Sequence, residues 1–525
     1  MKTSRGALAI GKGVRELYAD GQTDYSLSPL ILVDPEESPI GRITDGDAVI
    51  FCCRRGEREV QLTEAFTQPD FTDFPRPFVS DKNFVILTLY HEKFRDLPVA
   101  FAPVKIHHSL SEVISQAGLR QLHISESEKF SHVTFFFNGG VNQPFAGEID
   151  LCIPSIKGIP FDQVPGLSLE KVAGEVMKGI EGEYDFIVSN FANGDVIGHT
   201  RNNQAKIQCA AMVDHWLGKL IESARSANYV IMVTADHGNL EEMIKADGSK
   251  NSAHTTNPVP FILIDPGWTT TTCLQDGIMA DLAPTILSAL GLDQPEEMGG
   301  RNLTYSYNWG GRRKVLLIIL DGWGIGRKDD TNPIHLAETP VWDDLCRSYP
   351  GSQLQASGEA VGLKAGKAGN SEAGHLNIGC GRVVLQDDVR LDRAIQDGSF
   401  ITNEILNNTI EYVHQRSVNL HLIGLLSEKS SHGSIEYPLA IMRMAKAKGL
   451  NEVYLHVIFD GRSTEPGSAP LLLEKLETGL EKIGLGKIVS GIGRSLALDR
   501  DGDYTKTRYA YDAFVSGIGR NCPQN

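Results

Sequence analysis

The sequence predicts an α/β protein built on mainly parallel sheets, and three observations carry that prediction. Short, dense apolar runs recur along the chain. Segments with helical spacing separate them. The runs are far shorter than the roughly 18–20 apolar residues of a membrane span, so each fits a strand buried on both faces.

In chain order, the strand candidates begin with DAVIF at 47–51 and FVILTLY at 84–90. DFIVSNF at 185–191, YVIMVTA at 229–235 and PFILID at 260–265 follow. KVLLIIL at 314–320 is the most regular. VNLHLIGLL at 418–426, VYLHVIF at 453–459 and KIVSGIG at 487–493 complete the set. Helices are predicted at 204–225 and 469–483, where apolar residues recur at helical spacing. Strands alternating with helices read as α/β architecture. The segment 299–313, GGRNLTYSYNWGGRR, has Gly pairs at both ends and reads as a turn-rich joint. No tandem repeat or low-complexity block interrupts the pattern.

At 525 residues, length alone predicts about three domains, or two large ones. Hydrophobic residues make up 41% and charged residues 22%, as in a packed globular chain, which excludes a disordered or fibrous one. The net charge of −16 argues against a broad basic surface for nucleic acid, though not against a small phosphate pocket. The start, MKTSRGALAIGKG, lacks the sustained apolar core of a signal peptide. Eight Cys without a C-x-x-C pair indicate neither a zinc ribbon nor a disulfide framework. No membrane partner and a cytoplasmic location are the expectations.

The chemistry gathers after strands. Asp321 follows 314–320, Asp236 and His237 follow 229–235, and Asp195 and His199 follow 185–191. His254 precedes the run at 260–265. Sites in open α/β sheets lie beyond the carboxyl ends of strands. Asp195 and His199 are spaced i, i+4 and could grip one cation. Oxygen and nitrogen donors without thiolate suit Mn²⁺ or Zn²⁺. Six candidate ligands are more than one catalytic ion takes and point to two metals about 4 Å apart, as in phosphoryl chemistry.

Ser371 lies in the Gly-rich segment 366–382, GKAGNSEAGHLNIGCGR, before a potential helix. A helix N-terminus favours a phosphorylated or deprotonated serine oxygen, and a metal there would activate the hydroxyl. The other reading of Ser371 is a simple N-cap. Arg54, Arg55, Arg58, Arg462, Arg494 and Arg500 follow strands, and Lys129 lies in SESEKF. Several such cations at strand ends point to an anionic substrate.

LIILDGWG at 317–324, AGNSEAGHLNIG at 368–379, DGRSTEPG at 460–467, VTADHGN at 233–239 and AHTTNPVP at 253–260 closely resemble cofactor-independent phosphoglycerate mutase. That family belongs to the alkaline-phosphatase superfamily. The resemblance covers nearly the whole chain apart from the joint and the extreme termini. In the family the LDG strand comes early and TADHGN late; here the order is reversed, so the chain looks circularly permuted. The resemblance implies two α/β domains. An alkaline-phosphatase-like domain would span 104–385, including the joint at 299–313. A smaller transferase domain would be split between 1–103 and 386–525.

The resemblance also implies roles. Ser371 matches the nucleophile that becomes phosphoserine. Asp321, Ser371, Asp236 and His237 match one Mn²⁺ site; Asp195, His199 and His254 match the other. Arg55, Arg58, Lys129, His432, Arg462, Arg494 and Arg500 match substrate-binding positions. The family's Asp after DGR, assigned acid/base work, is Ser463 here. A hydroxyl cannot act as that base near neutral pH without activation, and Glu465, two residues on, is the candidate replacement. SEKSSHGS at 427–434 also departs from the glycine-rich string usual around the residue matching His432. The implied reaction interconverts 3-phosphoglycerate and 2-phosphoglycerate with two Mn²⁺ and no bisphosphoglycerate, in a monomer acting on a small molecule. The alternatives are a metal-dependent phosphatase on small phosphorylated acids, or a catalytically impaired paralogue.

Overall fold

The computed structural model describes residues 5–54, 58–245, 247–265, 274–305, 307–428 and 430–524. They divide into two compact units, Met1–Val104 with Arg390–Asn525, and Lys105–Val389. Each is an α/β domain around its own eight-stranded sheet.

The first unit opens with β1 (Leu30–Val33), β2 (Ala48–Phe51), β3 (Asn83–Thr88) and β4 (Val99–Phe101). The second unit holds β5 (Gln121–Glu126), β6 (Glu148–Ile153), β7 (Phe186–Phe191) and β8 (Val230–Thr234). It continues with β9 (Val259–Ile264), β10 (Gly277–Ile278), β11 (Val315–Leu320) and β12 (Gly351–Gln355). The chain then returns to the first unit for β13 (Leu420–Leu426), β14 (Tyr454–Phe459), β15 (Lys487–Gly493) and β16 (Arg520–Pro523).

The first sheet runs β16-β1-β15-β14-β13-β2-β3-β4. Early and late parts of the chain interleave in it: β2 pairs in parallel with β13, Ala48 opposite Leu420, and β1 pairs in parallel with β16. Alternate residues of β2 serve two cores. Ala48, Ile50 and Cys52 pack on one face, Val49, Phe51 and Cys53 on the other, which is why the strand reads as an unbroken apolar run.

The second sheet runs β10-β12-β9-β8-β11-β7-β5-β6. β8, β11, β7, β5 and β6 are parallel, so their carboxyl ends share one edge. β9 is antiparallel to β8, with Phe261 opposite Thr234, so the start of β9 reaches that same edge.

Every predicted strand and both predicted helices are present, with ends shifted by at most two residues. Asn203–Ser226 begins with the Asn202 side chain accepting from Ala205 N. Ala469–Ile483 has Pro in its first turn and ends at Gly484, φ 74°. The described residues of 299–313 form no helix or strand, as predicted for a joint. They are nonetheless anchored: Trp309 Nε1 donates to Ser288 Oγ at 3.1 Å, and Arg313 pairs with Asp265 at 2.8 Å. No described helix is long and apolar enough to cross a membrane.

Candidate metal and nucleophile site

The shared edge of the second sheet gathers the predicted ligands. Asp321 follows β11 directly, and Asp236 and His237 follow β8. Asp195 sits in the short helix Asn193–Gly198 after β7, and His199 ends that helix, its Nε2 3.2 Å from Asp195 Oδ1. His254 lies ahead of β9, where Thr255 bridges back to Gly238. Its Nε2 is 3.0 Å from Asp195 Oδ1 and 3.0 Å from His199 Nε2.

These three atoms are spaced for an ion. Tetrahedral arms of about 2.0–2.1 Å put neighbouring ligand atoms about 3.3 Å apart. The second nitrogens are tied to the backbone, His199 Nδ1 to Ser252 O at 2.9 Å and His254 Nδ1 to Gly369 O at 2.8 Å. A neutral imidazole that gives its Nδ1 proton to a carbonyl presents Nε2 as a lone pair. Two lone pairs and a carboxylate oxygen then face one another, an arrangement that a cation satisfies.

Asp236, His237, Asp321 and Ser371 gather alongside. His237 Nε2 lies 3.5 Å from both Asp236 Oδ2 and Asp321 Oδ1, and 3.0 Å from Ser371 Oγ. Ser371 Oγ donates to Asp321 Oδ1 at 3.2 Å. Asp236 Oδ2 is buried with no hydrogen-bond partner, a further position a cation would satisfy. The oxygen and nitrogen donors of both groups fit a divalent metal.

Ser371 is the first residue of the helix Ser371–Cys380, and its cap is Asn370, whose side chain accepts from Ala373 N. The N-cap reading of Ser371 therefore gives way: the hydroxyl is released from capping and points to charge. Lys129, on the segment after β5, spends all three ammonium protons here. It donates to Asp195 Oδ2 at 2.6 Å, Asp321 Oδ1 at 2.8 Å and Ser371 Oγ at 2.6 Å. Burial opposes the charge on Lys129, but Asp321 and Asp195 outweigh it and raise its pKa. Burial likewise opposes ionisation of Asp195, yet the Lys129 ammonium is foremost in holding it well below the usual range. His237, also desolvated, is pushed up to about 9 by Asp236 and Asp321.

Two buried residues here were not singled out in the sequence. Asn190, near the end of β7, donates to Asp321 Oδ2 at 2.7 Å and faces His375 Nε2 at 3.0 Å. His375 Nδ1 meets Ser371 O at 2.9 Å and Asp236 Oδ2 at 3.4 Å. The Ser-x-x-x-His spacing inside NSEAGH was the available signal, since it stacks both residues on one helical face.

The predicted anion-binding residues of the first unit also gather at strand ends, those of the neighbours β15, β14, β13 and β2. Arg494 follows β15 and pairs with Asp460, after β14, at 2.5 Å. His432 follows β13; its Nδ1 lies 3.3 Å from Glu59 Oε1. Arg58 is buried and donates to Leu498 O at 3.1 Å, and Arg54 donates to Ser430 O at 3.1 Å. Arg462, Ser463, Glu465 and Arg500 are exposed. Arg55 lies outside the described residues. Glu59 and Asp460 were missed by motif reasoning. Burial pushes Glu59 well above the usual carboxyl range, and Arg494, Arg58 and Arg54 only partly pull it back.

Comparison with known proteins bears on both units. The metalloenzyme superfamily model matches residues 31–294, half of the chain. The model described as the BPG-independent PGAM N-terminus matches residues 391–525. The chain is similar to 2,3-bisphosphoglycerate-independent phosphoglycerate mutase of Moorella thermoacetica, 42% identical over 298 residues, 57% of each chain. The corresponding protein of Thermosynechococcus vestitus is 45% identical over 280 residues, 52% of each chain. The chain thus spans about half the length of the curated relatives it matches. Among solved structures, Leishmania mexicana phosphoglycerate mutase aligns over 51% of this chain and 52% of its own, at 28% identity and a TM-score of 0.40.

Proposed function

This chain belongs to the metalloenzyme superfamily and, within it, to the family of 2,3-bisphosphoglycerate-independent phosphoglycerate mutases, and from that premise we propose that it interconverts 3-phosphoglycerate and 2-phosphoglycerate. One observation carries the reading. Ser371 Oγ sits at a helix N-terminus within 2.6 Å of Lys129 Nζ and 3.0 Å of His237 Nε2. Dipole and cation favour the same two species, a serine alkoxide and a phosphoserine.

Asp195, His199 and His254 would hold one Mn²⁺, and Asp236, His237, Asp321 and Ser371 the second. Bound there, the ions would lower the hydroxyl pKa of Ser371 and offset charge on the phosphoryl group. Asp321 aims the Ser371 hydroxyl, and Lys129 neutralises the oxygen once its proton has gone. Ser371 takes the phosphoryl group, and the arginines of the first unit, with His432, suit the anionic groups of a phosphorylated acid. The phosphoryl group then returns to the other hydroxyl, so no bisphosphoglycerate is required. A monomeric, cytoplasmic enzyme acting on this small molecule is the form we propose.

Circular permutation belongs to the same reading. A model described as an N-terminus matches the last part of this chain, after the metalloenzyme match rather than before it. The first sheet supports it, because β2 and β13, far apart in sequence, are direct neighbours.

An enolase-coupled assay with 3-phosphoglycerate and Mn²⁺, without bisphosphoglycerate, tests the function. Sustained formation of 2-phosphoglycerate is the expected result. Free phosphate in its place would make the protein a phosphatase.

A further inference from the structure

The candidate ligands of the second unit stand on separate loops, and their spacing depends on what fastens those loops together. Asp321 follows β11, His237 follows β8 and His254 precedes β9. Glu241 lies among them, 1% exposed, and is not itself one of the candidate ligands. Its Oε2 accepts from Asn239 N at 2.7 Å and from Gly324 N at 3.1 Å. Its Oε1 accepts from Asn257 Nδ2 at 2.9 Å and from Thr255 Oγ1. Each of these four partners stands within three residues of a candidate ligand: Asn239 after His237, Gly324 after Asp321, Thr255 and Asn257 after His254. One carboxylate therefore ties three ligand-bearing loops.

The tie extends to a further loop through Asn239. Its Nδ2 donates to Asp195 Oδ1 at 2.9 Å. That is the oxygen facing His199 Nε2 at 3.2 Å and His254 Nε2 at 3.0 Å. The backbone is shaped around the carboxylate. A Cβ on Gly238 would lie 2.5 Å from Glu241 Oε1, and one on Gly324 would lie 2.4 Å from its Cδ. Glycine is the residue that allows so close an approach.

We propose that Glu241 is a positioning residue for both candidate metal groups, setting the spacing of His237, His254, Asp321 and, through Asn239, Asp195. The proposal rests on the reading that those groups hold divalent metal, and it is independent of the substrate. Hydrogen bonds behind the ligands fix their orientation and so tune the metal they hold. The two oxygens of Glu241 differ in what can replace them. Oε2 faces two backbone N–H groups, which only an acceptor satisfies. Oε1 faces a hydroxyl, which can turn, and a side-chain amide, which can exchange its O and N. Glutamine therefore fits one way round, with its oxygen toward the backbone pair and its NH₂ toward Thr255 and Asn257. Aspartate keeps the charge but is one methylene too short to span both pairs. Leucine leaves all four donors open.

The test is Co²⁺ binding to the full chain for wild type, Glu241→Gln, Glu241→Asp and Glu241→Leu. Calorimetric titration gives affinity, and the visible bands of bound Co²⁺ report coordination geometry. Urea unfolding of the metal-free proteins runs alongside. Glu241→Leu should bind Co²⁺ about 10- to 100-fold more weakly, with altered bands at saturation. Glu241→Gln should bind more tightly than Glu241→Asp and show bands close to wild type. A Leu variant that loses stability in urea but keeps wild-type affinity and bands makes the carboxylate merely structural and overturns the proposal. An Asp variant that binds as tightly as the Gln variant, or more tightly, makes charge rather than reach the relevant property and overturns it too, which covers a Leu variant that fails to fold. A wild-type protein that takes up no Co²⁺ overturns the metal reading instead.

Discussion

Gly322 follows Asp321 at the edge of the second sheet, and Gly322→Ala tests whether the ligand set depends on backbone packing. Its φ is 72°, and a Cβ there would lie 2.7 Å from Asp195 N and 2.9 Å from Asp195 Cα. The left-handed conformation alone costs a non-glycine residue about 1–2 kcal/mol. The contact adds displacement, since the neighbour is backbone and cannot rotate away. Opening the nearer contact to an ordinary 3.4 Å moves Asp195 by about 0.7 Å, beyond the roughly 0.5 Å within which a functional constellation works. Mn²⁺ affinity should fall about 10- to 100-fold, the range seen when a ligand loses its support. Gly248→Ala is the control: φ is 81°, with nothing within 4 Å of the added Cβ. It feels the backbone strain without the contact. Calorimetric Mn²⁺ titration of both variants checks the point. Equal affinity in the two would refute the reasoning.

Asn190→Ala removes the 2.7 Å bond to Asp321 Oδ2 and should weaken Mn²⁺ binding about 10- to 100-fold in the same titration, with the fold retained. Arg494→Ala strands Asp460 in the interior and should cost about 3–5 kcal/mol in urea unfolding of the first unit. Burial lowers His123 to about 4, with Asp150 and the Val133 carbonyl opposing. Between pH 6.5 and 4 the unfolded chain therefore binds more protons, and stability falls as pH falls through that window. The loss reaches about 3 kcal/mol and should disappear from the pH slope of His123→Gln.

How much was legible in the sequence depended on burial. β7, β8 and β11 are buried on both faces, so hydropathy alone exposes them. β12 and β16 are edge-side strands with mostly exposed side chains, and GSQLQ and RNCP carry no apolar run. β5 escaped for a different reason. It is wholly buried yet reads QLHISE, because its polar residues find partners inside: Gln121 donates to Ser111 O, and His123 meets Val133 O.

The candidate metal ligands were legible because strand ends are. Asp321, Asp236 and His237 each stand directly after an apolar run. Asn190 and His375 were hidden within a strand and a helix, where a polar residue looks like any other until its neighbours are known. Glu465 shares a motif with Ser463, and both are exposed. Glu59 is some four hundred positions away in the chain and comes beside His432 because β2 pairs with β13.

Phosphoryl transfer through Ser371 is the central claim, and trapping the enzyme during turnover tests it most directly. Mn²⁺-loaded protein would be mixed with 3-phosphoglycerate, without bisphosphoglycerate, quenched in acid within the first turnover and mapped by mass spectrometry. The account predicts phosphate on Ser371, rising before 2-phosphoglycerate accumulates. Turnover with Ser371 unmodified, or with the phosphate on another residue, would contradict it.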